Sequence, residues 1–239
     1  CLTLLLFYAI MDQAEASFLL RCSFLLRNHY IGGIQMKNLF RIDSPFVQKM
    51  SLVFDLMLIN ILWLICCIPI LTIGASTTAM HAAVYTLADD TTFFRVFRDS
   101  FVQSTLSMLL FAALATILCV DILGMQLLPE SLCGILQALF WLGAFFLMLC
   151  SAHLPILLFR YENTLTNMWR NSVKIGWSAL PITCLMAALD LLPWLLLWFC
   201  SNIFWFLGFL WMTLYFSASA YVNIRLFRRF IQPRIEPGN

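Results

Sequence analysis

Charge is what this sequence has least of. Asp, Glu, Lys and Arg together make up 11% of it, hydrophobic residues 62%, and the mean hydropathy is +0.91. Soluble domains run nearer about 25% charged and about 45–50% apolar, so a soluble chain this poor in charge could not cover its own surface. A bilayer removes that requirement, because lipid tails face much of the protein. Polar stretches long enough to form a soluble domain are missing as well. So is the short two-residue alternation of a β-barrel: the apolar runs are continuous and of helical length. These absences leave an all-α membrane protein, a polytopic helical bundle.

The signatures of catalysis and metal binding are also lacking. The nine cysteines form no Cys-x-x-Cys pair and keep no Cys/His ligand spacing. Cys66, Cys67, Cys119, Cys150, Cys184 and Cys200 lie in or beside apolar runs, where they act as small packing residues, while Cys133 falls at an outward loop. No HExxH, GxSxG, Walker A, Ser/Lys or paired-aspartate signature occurs. No enzyme activity, metal or cofactor is expected, and no disulfide framework.

What charge there is has a pattern. Of the fourteen Lys and Arg residues, Arg21 and Arg27 precede Met36, and the other twelve fall in four clusters. These are Lys37, Arg41 and Lys49; Arg95 and Arg98; Arg160, Arg170 and Lys174; and Arg225, Arg228, Arg229 and Arg234. Cations flanking membrane helices stay on the cytoplasmic side. Hydropathy alone gives five obvious spans, and with five the clusters fall on opposite sides. One further crossing at residues 72–88 brings all four to one side. That segment is uncharged and, at about 25 Å, slightly short for a span. Ala75, Ala79 and Ala83 recur along it at helical spacing, which allows close helix approach. The expectation is six spans, at about 52–70, 72–88, 104–128, 133–159, 175–199 and 202–224, in the cell membrane with both termini cytoplasmic. A re-entrant hairpin over Leu52–Ala88 is the alternative. The turn of the last pair is placed at Cys200–Asn202, ringed by the interfacial aromatics Trp194, Trp198, Phe199, Phe204 and Trp205. The outward loops, Pro69–Leu71, Leu128–Leu132 and Cys200–Asn202, carry no cation; their one charge is Glu130.

Residues 1–35 stand apart. The chain opens on Cys1, and Gly32-Gly33 precedes Met36 at the spacing of a ribosome-binding site, so 1–35 is expected to be translated upstream sequence or a non-native extension. The transmembrane domain is then 36–230, followed by a cytoplasmic tail at 231–239. The basic residues of that tail read as a topology anchor and not as a nucleic-acid site.

Two sets of residues are candidates for function. Ionisable groups in hydrocarbon cost at least about 2.5–3.5 kcal/mol and mark functional sites by default. Asp55 and Asp121 fall near span ends, where solvated carboxylates are expected. Asp190, His81 and His153, together with Asn60, lie deeper and form a candidate intramembrane polar site. The second set is Phe93, Phe94, Arg95, Phe97, Arg98 and Phe101, an aromatic-basic stretch within Thr91–Gln103. Its spacing suits an amphipathic helix in the inner interface, with the arginines reaching lipid phosphates or a docked partner.

The run Asp55, Asn60, Leu62-Trp63, Pro69-Ile70 and Thr72-Ile73-Gly74-Ala75-Ser76-Thr77-Thr78-Ala79 resembles the YesL family of bacterial integral membrane proteins, a domain-of-unknown-function family. The Phe/Arg-rich loop at Phe93–Gln103 and the stretch from Leu154-Pro155 to Arg160-Tyr161-Glu162-Asn163-Thr164 extend the likeness across roughly Met36–Phe230. Members often sit beside carbohydrate ABC importers and sensor-kinase pairs. The resemblance therefore implies an accessory or regulatory subunit linked to carbohydrate uptake or its sensing, with an importer or sensor kinase as partner besides the bilayer. It carries over no functional residue. A small-molecule permease built on the intramembrane polar site is the alternative.

Overall fold

The computed structural model describes residues 45–87, 92–125, 130–199 and 208–235. Among them there are helices and no strand. The segment 1–35, the turn at 200–202 and the side chains of the aromatics around that turn lie outside what is described.

Helix α1, Pro45–Cys66, starts with a proline at its first position, where the missing N–H costs no hydrogen bond. The chain turns back through a short 3₁₀ segment, Ile70–Thr72. There the Thr72 hydroxyl is shared between the carbonyls of Cys66 (2.5 Å) and Pro69 (2.6 Å), which satisfies an acceptor that the end of α1 leaves without a helical partner.

Helix α2, Ile73–Thr86, is 14 residues long, about 21 Å. It is shorter than a bilayer and shorter than the 72–88 span expected from the sequence. It is also central, packing against α1 and against four elements described below. Ala75, Ala79 and Ala83 are buried, and the backbone comes closer still at Gly74. A methyl group placed there would lie 2.5 Å from the Ser104 carbonyl oxygen and 2.7 Å from Met108 Cβ.

Helix α3, Thr92–Asp99, is amphipathic, but its aromatic face does not lie on lipid. Phe93, Phe94, Phe97 and Phe101 are buried in the protein's own core, in edge-to-face and stacked contacts at 5.6–6.3 Å. Arg95 and Arg98 point outward. The stretch expected to dock as a whole therefore offers only its basic half.

Helices α4, Phe101–Met125, and α5, Glu130–Arg160, are mostly apolar. The 31 residues of α5 give about 46 Å, more than the hydrocarbon core. After residues 161–164 the chain doubles back as α6, Leu165–Ser178, whose Ser172 hydroxyl donates to the Cys150 carbonyl at 3.1 Å. Helix α7, Leu180–Phe199, leaves at 110° to α6. The expected span 175–199 is thus broken. Ala179 leaves helical geometry (φ −129°, ψ 40°), and Pro181 can sit in the first turn of a new helix but not within a continuing one.

The last helix, α8, runs through 208–235 with two π-helical turns, Trp211–Tyr215 and Phe227–Ile231, around Phe216–Leu226. By length and composition, three described helical segments can cross a membrane, Lys49–Cys66, Phe101–Ile122 and Cys133–Arg160, or four if the bent α6–α7 pair counts as one.

One end of the bundle gathers the cations. Arg160 donates to the Tyr85 hydroxyl at the end of α2 and to Gln232 Oε1 at 3.2 Å. Arg228 donates to the Tyr85 carbonyl at 2.6 Å, with its guanidinium 3.7 Å from the ring centre. Arg234 reaches the Ser178 carbonyl at 2.9 Å, and Gln103 at the start of α4 donates to Asn163 O at 2.8 Å.

Candidate functional site

Prolines and a π-turn open this bundle where a regular helix would close it. Pro155 in α5 and Pro193 in α7 cannot supply the N–H that the carbonyls four residues earlier, Ser151 and Leu189, would take in an unbroken helix. The Leu189 carbonyl is served from outside: the Tyr215 hydroxyl on α8 donates to it at 2.6 Å. Tyr215 closes the first π-turn, a local widening that often accompanies functional sites. Just past it the Ser217 N–H donates to Asn60 Oδ1 on α1 at 3.1 Å. The Ser217 hydroxyl donates to Leu56 O at 2.7 Å.

A cavity of about 210 Å³ lies between these irregularities, walled by residues of α1, α2, α5, α7 and α8. Its polar side chains include His81, Asp190, Ser151 and Ser219, and the rings of Trp63, Tyr215 and Phe216 form an aromatic wall. Trp63 and Phe216 pack with centroids 4.8 Å apart, and the Trp63 indole donates to Thr77 Oγ1 at 3.3 Å.

The carboxylate of Asp190 is held on one side. Its Oδ1 accepts from Ser219 Oγ (2.8 Å) and Asn223 Nδ2 (2.9 Å). Both hydrogen bonds use the same oxygen, and Asp190 is among the residues that line the cavity. His81 Nδ1 lies 2.8 Å from the Thr77 carbonyl. A carbonyl can only accept, so Nδ1 carries the proton and Nε2 of the uncharged ring is a lone-pair acceptor. Among the described residues lining the cavity, Asp190 bears the one formal charge.

Of the four polar residues expected to form a site, the fold brings together two. His81 and Asp190 face one cavity. Asn60 is fully buried and pins α8 to α1 through Ser217. His153 is fully buried too. The Thr183 hydroxyl donates to the carbonyls of Gly176 and Ala179 at 3.1 Å, so it accepts from His153 Nε2 at 2.9 Å. This joins α5 to α7 and leaves Nδ1 without a partner. Ser219 and Asn223 escaped the sequence reading, although their spacing of four on one helix face was a usable signal. Among the described residues, no three His, Cys, Asp or Glu side chains are grouped to hold a metal ion.

Residues 56–122 match the family described as Protein of unknown function, DUF624. The matched stretch carries Asn60, Trp63, Gly74 and His81, and so one wall of the cavity; Asp190 and α8 lie beyond it. No curated protein and no solved structure matches the chain.

Proposed function

We propose that this chain is a multi-pass cell-membrane protein that binds a small polar solute in the His81–Asp190 cavity and passes it across, in the manner of a small permease. The observation that carries this reading is the convergence of an accessible carboxylate and a histidine with a free acceptor nitrogen, between helices interrupted by Pro155, Pro193 and a π-turn. Interrupted helices that line polar cavities are how transporters place solute sites in the bilayer. Six crossings with both termini inside remain our topology. The 14-residue α2 is then a short crossing, and the meeting of Arg160, Arg228 and Tyr85 at one end supports a common cytoplasmic side for the cationic clusters.

The kinship with the YesL family stays part of the proposal, supported by the family match over residues 56–122. A second reading, an accessory subunit of a carbohydrate importer or sensor kinase without enzyme activity of its own, is favoured by the outward Arg95 and Arg98 on a helix whose Phe face is already covered. Solute uptake by the reconstituted full chain separates the two. Asp190→Asn with His81→Gln should abolish uptake under the permease reading, whereas Arg95→Glu with Arg98→Glu should spare it. Uptake that survives the first pair, with loss of a co-purifying subunit in the second, would replace the permease reading by the accessory one.

A further inference from the structure

The few polar groups in the mostly apolar cavity say something about its ligand. Two residues that line it keep an acceptor outside the hydrogen bonds described above, Asp190 with Oδ2 and His81 with Nε2. A third acceptor, Asn223 Oδ1, is buried directly behind the carboxylate with no partner. No hydrogen bond joins the carboxylate to the imidazole. No Lys or Arg is found among the described lining residues, so the Asp190 carboxyl group meets no cationic side chain there. An ion in low-dielectric surroundings is retained when a partner cancels it. The lining also includes the aromatic rings of Trp63, Tyr215 and Phe216, and such rings attract cations.

From this we infer that the ligand is a small organic cation, a primary or substituted ammonium of a few carbon atoms. The inference rests on the cavity being a solute site. The ammonium sits between Asp190 Oδ2 and His81 Nε2 and donates an N–H to each, and its alkyl part lies against Trp63 and Phe216. A neutral polyol could supply the donors but would leave the Asp190 charge unmatched. A cavity of about 210 Å³ admits a molecule of amino-alcohol size and excludes a peptide.

The test uses the purified full chain in lipid nanodiscs, with tryptophan fluorescence and calorimetry as readouts. Ethylammonium and choline are the cationic probes; propanol, glycerol and glucose are the neutral ones. Saturable binding of the ammonium probes is expected, with affinity lowered at least about tenfold in Asp190→Asn, since charge-assisted hydrogen bonds are roughly twice as strong as neutral ones. The asparagine keeps an Oδ1 acceptor for Ser219 and Asn223, so the fold should survive. Trp63→Leu, which leaves Asp190 in place, should weaken ammonium binding several-fold. Binding of glycerol or glucose unaffected by Asp190→Asn, and blocked by the cavity-filling Ser151→Phe, would overturn the cationic class while keeping the cavity as a solute site. If no probe of either kind binds, the solute-site reading falls with the inference.

Discussion

Gly74 is the most crowded of the described glycines. The Ser104 carbonyl and Met108 crowd its missing side chain from α4, so a methyl must push two helix backbones apart. Overpacking of this kind costs about 1–3 kcal/mol. Gly74→Ala should therefore lower the unfolding temperature in detergent. Gly134→Ala in α5, where nothing lies within 4 Å, should leave it unchanged or raise it slightly. Equal effects at the two positions would refute the packing argument. Asn60 gives a second contrast. Its Oδ1 is the partner of the Ser217 N–H, so Asn60→Leu leaves a buried donor unmatched, at about 1–3 kcal/mol. That loss of stability should come without change in ligand binding, since Asn60 does not line the cavity. His81 and Asp190 were legible in the sequence because ionisable groups stand out against hydrocarbon. The opposite roles of Asn60 and Asp190 were not, because both are polar residues in apolar runs. Which one meets a cavity depends on contacts 157 residues apart for Asn60 and 29 to 33 apart for Asp190.

At the scale of elements, proline position decided more than hydropathy. The apolar stretch from Ile175 looked like a single span, yet Pro181 ends one helix and begins another, and the chain turns by 110°. That signal was in the sequence and was outweighed by the evenness of the hydrophobic run. Pro193 is different, because α7 passes through it and a neighbouring helix repairs the gap. A double-mutant cycle measures the repair. Tyr215→Phe removes the donor to Leu189 O and should cost about 1 kcal/mol. In a Pro193→Ala background the alanine N–H can reach the same carbonyl, and the tyrosine change should cost close to nothing. Additive effects in thermal melts would show that the two residues do not share that carbonyl. The amphipathic α3 was foreseen from its 3.6-residue spacing of Phe and Arg. Spacing identifies an apolar face without saying what covers it, and here α2 and the core do.

Across the whole molecule, the low charge and the helical length of the apolar runs pointed to apolar helices, and the described residues form helices of which three or four are long and apolar enough to cross a membrane. The number of crossings did not follow, because length and hydropathy describe helices one at a time. The short, encircled α2 and the bent α6–α7 pair obey constraints set by their neighbours. Topology can be read directly with reporter fusions in cells. A fusion at Asp99 should report from the cytoplasm and one at Ser131 from outside. A cytoplasmic signal at Ser131 would overturn the six-span threading.

The proline at 193 and the tyrosine at 215 also bear on motion. The break in the α7 ladder falls within one turn of Asp190, so the helix has one main-chain bond fewer there to resist bending. The Tyr215 phenol on another helix takes up the carbonyl that this leaves. A solute that drew Tyr215 toward itself would release that carbonyl, and occupancy of the cavity and the angle of its wall would then change together.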